Sequence, residues 1–429
     1  MTTSEFILQH RLSNPRDLAL QARRYPDVDM PYALNQIQGW QTARQKLPSW
    51  ASCDGVVYPP HLNMEQCSSE PTARYKQEVA LRWLNKLGVG HGGATTSMAD
   101  LTGGFGVDFS FTSRCFASAT YVERNSSLCD VVSGNLPRLG ISNANVVCAE
   151  AEDYLATMPQ QTMLFLDPAR RDEHGAKTVL IADCTPDVCR LLPQLMSKAR
   201  FVMLKLSPML DWHKAIADLK GTVDEVHIVS VGGECKELLL VLAGKVSVPS
   251  VDSGSLENGV RVYCVDIMPK AEADGEYKRS EFCYTIGGAA DNPPTLNPQP
   301  STLNSQLSTL NSQFLFEPNA SIMKAGCFAE LSQVYGVEAI GPNSHLFVSS
   351  GRVEQFPGRK FAIEAVCTLN KRQLKQTLGT LKQANIAVRN FPMSVAELRK
   401  RLKLRDGGDT YIFATTTMEG EHVLIICRK

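Results

Sequence analysis

The sequence predicts an α/β protein: a mostly parallel sheet of seven strands closing in an antiparallel hairpin, with a helical region before it and small α+β domains after it. Three observations carry this. From about residue 96, short continuous apolar runs alternate with helical stretches, the pattern of a parallel sheet buried on both faces. The early runs end in acids or in Asp-Pro: Asp100, Glu123, Glu150 and Asp167-Pro168. The first run opens directly onto a glycine-rich turn, Asp100-Leu101-Thr102-Gly103-Gly104-Phe105-Gly106-Val107-Asp108.

A strand, a glycine turn and a helix in succession form the opening of a Rossmann-like, nucleotide-binding domain. Before it, residues 1 to about 70 read as helical and irregular. A helix begins at Pro15 with Ser13 or Asn14 as cap, and a second at Met30-Pro31. A third runs from Pro71 to about Leu87, ended by Gly88, Gly90, Gly92 and Gly93. Thr72 and Lys76 in it read first as a capped, solvated helix start. The sharper reading lays this helix over the ligand pocket. After the glycine turn come strands at 119–123, 145–150, 163–166 and 201–206, with a helix from Asn125 to Leu139. Val226–Val231 and Leu238–Leu242 are joined by Gly232-Gly233-Glu234-Cys235-Lys236, too short for a crossover helix, so this pair is an antiparallel hairpin.

At 429 residues the chain exceeds one core, and two or three domains are expected. Hydrophobic residues make up 43% and charged residues 21%, a globular composition. No apolar run approaches the ~18–20 residues of a membrane span, and the start lacks a signal-peptide core. Thirteen cysteines are scattered singly, without C-x-x-C pairs or zinc spacing. Cys184 and Cys189, the nearest pair, read as packed thiols. This usage suits a reducing cytoplasm and argues against a bound metal.

The net charge of zero hides an asymmetry. Residues 352–429 hold 15 Lys and Arg against 7 Asp and Glu, a surplus of +8. The segment reads β-α-β-α-β-β, with Lys371, Arg372, Lys375 and Lys382 on one helix. Arg399, Lys400, Arg401, Lys403 and Arg405 cluster on the other. Such a run is either a solvated helix face or a phosphate-binding patch for nucleic acid. Between the two halves, STLNSQ(L/F) repeats back to back at 301–314, after a Pro- and Asn-rich stretch from 292. It reads as a disordered insertion without a catalytic role. The expected domains are 1–70 helical, 71–245 the parallel-sheet domain, 246–350 a small domain carrying the insertion at about 291–313, and 352–429 an α+β domain.

The turn excludes two common ligands. NAD requires G-x-G-x-x-G, and Phe109 stands where the third glycine belongs. A P-loop requires Gly-Lys-Ser/Thr, which is absent. What the stretch resembles is a class I S-adenosylmethionine-dependent methyltransferase. That family has an acid opening a D-x-x-x-G-x-G loop, an acid ending strand two, a polar or acidic residue ending strand three, Asp/Asn-Pro ending strand four, and a closing antiparallel hairpin. The whole layout is similar to a bacterial, Bacteroidetes-type family of these enzymes with a ferredoxin-like domain and a C-terminal THUMP-like domain. The resemblance rests on EQCSSEPTARYK (65–76), DLTGGFGVD (100–108), FLDPARR (165–171), LKLSPMLD (204–211), FEPNASIMKAG (316–326) and RDGGDTYIFATT (405–416).

The resemblance implies S-adenosyl-L-methionine as cofactor. Asp100, Thr102, Gly103, Gly104, Gly106 and Asp108 would face its methionine end. Glu123 would accept from the ribose hydroxyls, and Glu150 with Ala151 would meet the adenine. Asp167, Pro168 and Arg170 form the implied catalytic acceptor site, with Asp167 also at the cofactor. Ala169 and Arg170 stand where base amino-group methyltransferases carry a second Pro and an aromatic, which argues against a stacked, flipped base. No Cys follows Asp167-Pro168, so cytosine C5 chemistry is not expected. Arg171, Lys205, Arg399, Lys400 and Arg401 are candidate substrate contacts. THUMP domains imply an RNA substrate, a tRNA or rRNA base. The competing readings are an RNA-binding protein with an inactive methyltransferase fold and a methyltransferase of a small molecule or protein. Removing residues 292–313 is expected to leave the melting temperature and cofactor affinity nearly unchanged, as scanning and titration calorimetry would show.

Overall fold

The computed structural model describes residues 1–90, 95–170, 181–243, 259–270, 276–287 and 313–429. The repeat insertion, apart from Gln313 and Phe314, lies outside the described residues, as do Arg171 and the side chain of Arg170. The chain forms two compact units. The first comprises Met1–Val231, Lys236–Leu256 and Pro269–Tyr277; the second comprises Gly232–Cys235, Glu257–Met268 and Lys278–Lys429.

The first unit begins with six helices: α1 (Thr3–His10), α2 (Pro15–Leu20), α3 (Met30–Lys46), α4 (Pro48–Ala51), α5 (His61–Gln66) and α6 (Glu70–Lys86). Their starts are chemically marked. Thr2 and Glu5 form a capping box on α1, Asn14 caps α2 ahead of Pro15, and Asp29 caps α3. Helix α6 is pinned through Trp83, whose indole N–H donates to Glu225 at 3.0 Å, and Arg82, which donates to the same carboxylate at 2.7 Å.

Next come β1 (Ser97–Asp100), α7 (Val107–Thr112), β2 (Ser118–Glu123), α8 (Ser126–Arg138), β3 (Ala144–Cys148), α9 (Ala151–Thr157) and β4 (Gln161–Leu166). These are followed by α10 (Val188–Lys198), β5 (Ala199–Leu206), α11 (Trp212–Asp218), β6 (Val223–Val231) and β7 (Glu234–Leu242). Within this unit the strands run in the order β3-β2-β1-β4-β5-β7-β6. The first five of these strands are mutually parallel. Strand β7 inserts antiparallel beside β5, from Val202↔Leu242 to Leu206↔Leu238. All six residues of β4 are buried, as two-sided coverage requires. Gly232 and Gly233, at φ 60° and 84°, take the left-handed turn that reverses the chain between β6 and β7.

Two expectations are corrected here. The third strand ends at Cys148, and Glu150 occupies the N-cap of α9, because the chain turns directly into that helix. Lys76 is not solvated. It is completely buried, because its ammonium is clasped by two carboxylates of the same unit.

The helical region is part of this core. Trp50, Tyr58, Met64 and Ala73 pack in one cluster with Phe105, Val107 and Phe111. Phe105, a residue of the glycine turn, meets Trp50 with ring centroids 4.8 Å apart. Asn135 closes a further bond pair on Val57, accepting from its N–H at 2.9 Å and donating to its carbonyl at 2.8 Å.

The second unit has the antiparallel pair β8 (Val260–Ile267) and β9 (Arg279–Ile286). Its other elements are β10 (Phe314–Pro318), α12 (Ala320–Ala325), α13 (Phe328–Tyr335), β11 (Glu338–Ala339), β12 (Phe347–Ser349), β13 (Gly358–Thr368), α14 (Lys371–Leu378), β14 (Asn385–Arg389), α15 (Val395–Leu402), β15 (Thr410–Thr416) and β16 (His422–Arg428). Seven strands form one sheet in the order β11-β12-β10-β13-β16-β15-β14. Buried Glu317 holds β10 to this sheet through ion pairs with Arg359 and, at 2.7 Å, Arg389. Helix α14 stops at Leu378, where Gly379 weakens it, so Lys382 lies beyond the helix the sequence placed it on. Ala384 then bonds its N–H to the Arg405 carbonyl at 3.0 Å.

Phe105→Ala is expected to lower stability by about 3–5 kcal/mol, the cost of emptying a buried phenyl site. Calorimetric melting of the full chain reads it.

Candidate functional site

The carboxyl ends of β1, β2, β4 and β5 surround a cleft of about 760 Å³, lined also by Asn63, Gln66, Cys67 and Ser68 from α5 and the segment after it. That location is where open α/β sheets bind ligands, and the volume suits a nucleotide-sized molecule.

The glycine turn forms one wall. Gly106 lies at φ 78° and Gly104 at φ 54°, in the left-handed region that glycine enters without strain. Gly103 is required for space: a Cβ there would sit 2.1 Å from the Tyr121 ring. The turn is tied in from both sides. The Gly103 N–H donates to the Val122 carbonyl at 2.9 Å. The Tyr121 hydroxyl donates to the Gly104 carbonyl at 2.5 Å.

Acids from several elements line this one cleft, Asp100, Asp108, Glu123 and Asp167 among them. Asp100 is 1% exposed and accepts from the Thr102 N–H at 3.0 Å. Burial, together with the nearby Asp108, Asp167 and Glu123 charges, raises its pKa well above the ordinary aspartate value. Glu123 accepts from the Gly104 and Asn125 N–H groups, both at 2.9 Å. Each carboxylate oxygen retains a lone pair for a ligand. Asp108 accepts from the Ser68 hydroxyl at 2.7 Å and faces the Lys76 ammonium at 3.2 Å.

Lys76 also reaches Glu237 at 2.5 Å. The Glu237 carboxyl is pushed up by burial and by Asp108, against the pull of Lys76 and Lys205. Asp167 follows β4, and its N–H donates to the Thr102 hydroxyl at 2.6 Å. Its Oδ2 accepts from the Lys205 ammonium. Burial alone would discharge Lys205, but Asp167, Asp108 and Glu237 outweigh it and raise its pKa above the free lysine value. Strand register sets the Asp167–Lys205 pair, since Leu166 lies opposite Leu204 one residue earlier.

The structure therefore brings Asp100, Thr102, Gly103, Gly104, Gly106, Asp108, Glu123, Glu150, Ala151, Asp167, Pro168 and Lys205 to one cleft. Arg170 pairs its backbone with Cys184 in a two-residue ladder. In the second unit, Lys400 and Arg401 are exposed. Arg399 is partly committed to structure, donating to Asp406 at 2.6 Å and to the Ala384 carbonyl at 3.2 Å.

Sequence reasoning missed Ser68, Cys67 and Glu237. Glu237 had a readable signal: a charge opening the apolar run of a central strand must find a buried partner. Cys67 carried none, and burial pushes its thiol up to about 11, so it is not a thiolate nucleophile.

A cleft rimmed by carboxylates, with a glycine turn on one wall, suits a ligand bearing both positive charge and hydroxyl groups. The sheet order, with its inserted antiparallel strand, and the acids at its strand ends define a class I methyltransferase fold. The chain has that fold, followed by ferredoxin-like and THUMP-like domains. Residues 314–357 match a family model described as a ferredoxin-like domain, and 358–429 one described as THUMP domain-like. A solved protein of Porphyromonas gingivalis W83, described as a "putative methyltransferase", is 28% identical with a TM-score of 0.78, over 100% of this chain and 97% of its own. Two further solved structures align over part of the chain. An rRNA methylase from Streptococcus thermophilus is 12% identical over 41% of this chain and 98% of its own, with a TM-score of 0.30. A precorrin-6y C5,15-methyltransferase from Geobacter metallireducens is 17% identical over 39% of this chain and 88% of its own, with a TM-score of 0.28. Scores at that level carry no functional argument. A search of curated proteins found no match.

The raised Asp100 pKa has a stability consequence. A carboxyl whose folded value lies above its unfolded value favours folding most below the unfolded value of about 3.9, and that contribution is lost as pH rises through the folded value. Asp100→Asn, which keeps an acceptor for the Thr102 N–H, is thus expected to melt higher than wild type at pH 8. The gain shrinks as pH falls towards 4, as a thermal-melt series across pH would show.

Proposed function

We propose that this chain transfers the methyl group of S-adenosyl-L-methionine to RNA. The observation that carries the reading is the convergence of Asp100, Asp108, Glu123 and Asp167 on one cleft walled by the glycine turn. The donor set fits this cofactor. Its sulfonium and amino groups are cationic, and a cation beside Asp100 favours the charged carboxylate against the burial and neighbouring acids that raise its pKa. The bound cofactor supplies a methyl carbon activated by the sulfonium.

The chain's own residues do the rest. Asp100, Thr102 and the Gly103, Gly104 and Gly106 backbone hold the methionine end, with Asp108 behind them. Glu123 accepts from the ribose hydroxyls through its remaining lone pairs. Glu150 and Ala151 meet the adenine. Asp167, Pro168 and Arg170 align the acceptor, and Lys205 holds Asp167 in place.

The RNA part of the proposal rests on two supports. Residues 358–429 match the THUMP domain-like model, and the segment from 352 carries a surplus of +8. Lys371, Arg372, Lys375, Lys382, Lys400, Arg401, Lys403 and Arg405 are all exposed, as phosphate contacts require. In this reading residues 1–70 support the cofactor loop, 71–245 carry the chemistry, and 246–350 and 352–429 present RNA. A cytoplasmic location follows from such a substrate.

Titration calorimetry is expected to show S-adenosyl-L-methionine binding to wild type and none to Gly104→Trp, whose side chain would enter the cleft. RNA from a strain lacking the gene is expected to lose one methylated nucleoside by mass spectrometry. Lys400→Glu/Arg401→Glu should weaken RNA binding with cofactor affinity unchanged. Absence of cofactor binding to wild type would sink the proposal.

A further inference from the structure

We infer that the methyl acceptor is an alcohol oxygen, the ribose 2′-hydroxyl of RNA, and that Lys205 and Asp167 activate it as a pair. This deepens the function proposed above and rests on it.

The first ground is geometric. Asp167 and Lys205 stand side by side at the ends of adjacent parallel strands, β4 and β5, with the Lys205 ammonium on Asp167 Oδ2. Both line the cleft beside Pro168 and Ser207. The lysine cannot swing away freely, since its side chain is only 11% exposed. Asp108 and Glu237, which also act on Lys205, are held by a second ammonium, Lys76.

The second ground is the sign of the charge. When a nitrogen accepts a methyl group it becomes more positive in the transition state, and a fixed ammonium beside it opposes the reaction. When an alcohol accepts a methyl group it loses its proton, and its oxygen becomes more negative. A neighbouring ammonium then stabilises the transition state. The Asp167 contact, with Asp108 and Glu237 nearby, favours the protonated Lys205, so it serves as donor and not as base.

The third ground is the wall of the cleft. Enzymes that flip a base commonly stack it on an exposed aromatic side chain. The aromatic residues lining the described cleft are Phe105 and Phe165, 4% and 1% exposed, both committed to the core. Carbon methylation through a thiolate has no cysteine directly after Asp167-Pro168 to carry it. An alcohol needs neither device. On an internal RNA nucleotide the free alcohol is the 2′-hydroxyl.

The step balances. The hydroxyl oxygen forms a bond to the methyl carbon as the carbon–sulfur bond of the sulfonium breaks, its electron pair returning to sulfur. The hydroxyl proton passes to Asp167 Oδ1, the oxygen Lys205 does not engage, and then to water. Lys205 donates to the acceptor oxygen throughout.

The test uses the full chain, RNA from a strain lacking the gene, and methyl-labelled S-adenosyl-L-methionine. After alkaline hydrolysis the label is expected in resistant dinucleotides, because a methylated 2′-oxygen cannot attack the adjacent phosphate. Label in mononucleotides carrying a methylated base would overturn this inference and leave RNA methylation standing. Cofactor binding with no label in RNA would overturn both. Lys205→Met is expected to lower kcat roughly 10²–10³-fold, the usual cost of one such donor, while S-adenosylhomocysteine affinity stays within about threefold by calorimetry. Lys205→Arg, which keeps the charge, should recover part of the rate. A Lys205→Met variant that melts like wild type and has lost the ligand would assign Lys205 to the cofactor and contradict the inference.

Discussion

The ion cluster around Lys76 is the constraint on which the rest of the first unit depends. A wholly buried ammonium costs several kcal/mol in lost hydration, and only close opposite charge offsets it. Here Asp108 from α7 and Glu237 from β7 supply that charge, at 3.2 and 2.5 Å. The helix before the sheet, the helix after the glycine turn and the inserted antiparallel strand must therefore meet at one point. Removing Lys76 would leave two buried carboxylates without their ammonium. The fold tolerates no loose docking of these elements, and the cleft above them inherits that rigidity.

The cleft itself is arranged against its own stability. Burial of Asp100, and then the nearby Asp108, Asp167 and Glu123 charges, raise its pKa, so the charged form is held at a cost. Lysines 76 and 205 offset part of it from below. What holds the wall in place is apolar: Phe105 reaches out of the turn to Trp50 and the cluster built by the N-terminal helices. Those helices are thus part of the site's support, and the segment from Asn63 to Ser68 borders the cleft directly. Functional sites commonly sustain such unfavourable charge by drawing on well-packed surroundings.

Much of this was legible in the sequence. The last hairpin and the first cap follow from local rules, and Asn14 caps its helix as its residue type directs. The acids at strand ends fall in one cleft because a parallel sheet gathers every carboxyl end on one edge. Lys76 was misread, since a lysine in the second turn of a helix is normally solvated and its partners lie 32 and 161 residues away. Arg399 shows the opposite failure: it belongs to a basic run, yet Asp406 and the Ala384 carbonyl hold it.

By itself the sequence determined the strand order's raw material: apolar runs of the right length, glycines where φ must be positive, acids at the turn-outs. These are local properties, written within a few residues of one another. Tertiary structure alone decided which charges are paired and which face the cleft. It placed Lys205 on Asp167, Lys76 between Asp108 and Glu237, and Phe105 on Trp50. The reason is that a charge's behaviour depends on burial and on neighbours within a few ångströms, and folding draws those neighbours from distant parts of the chain.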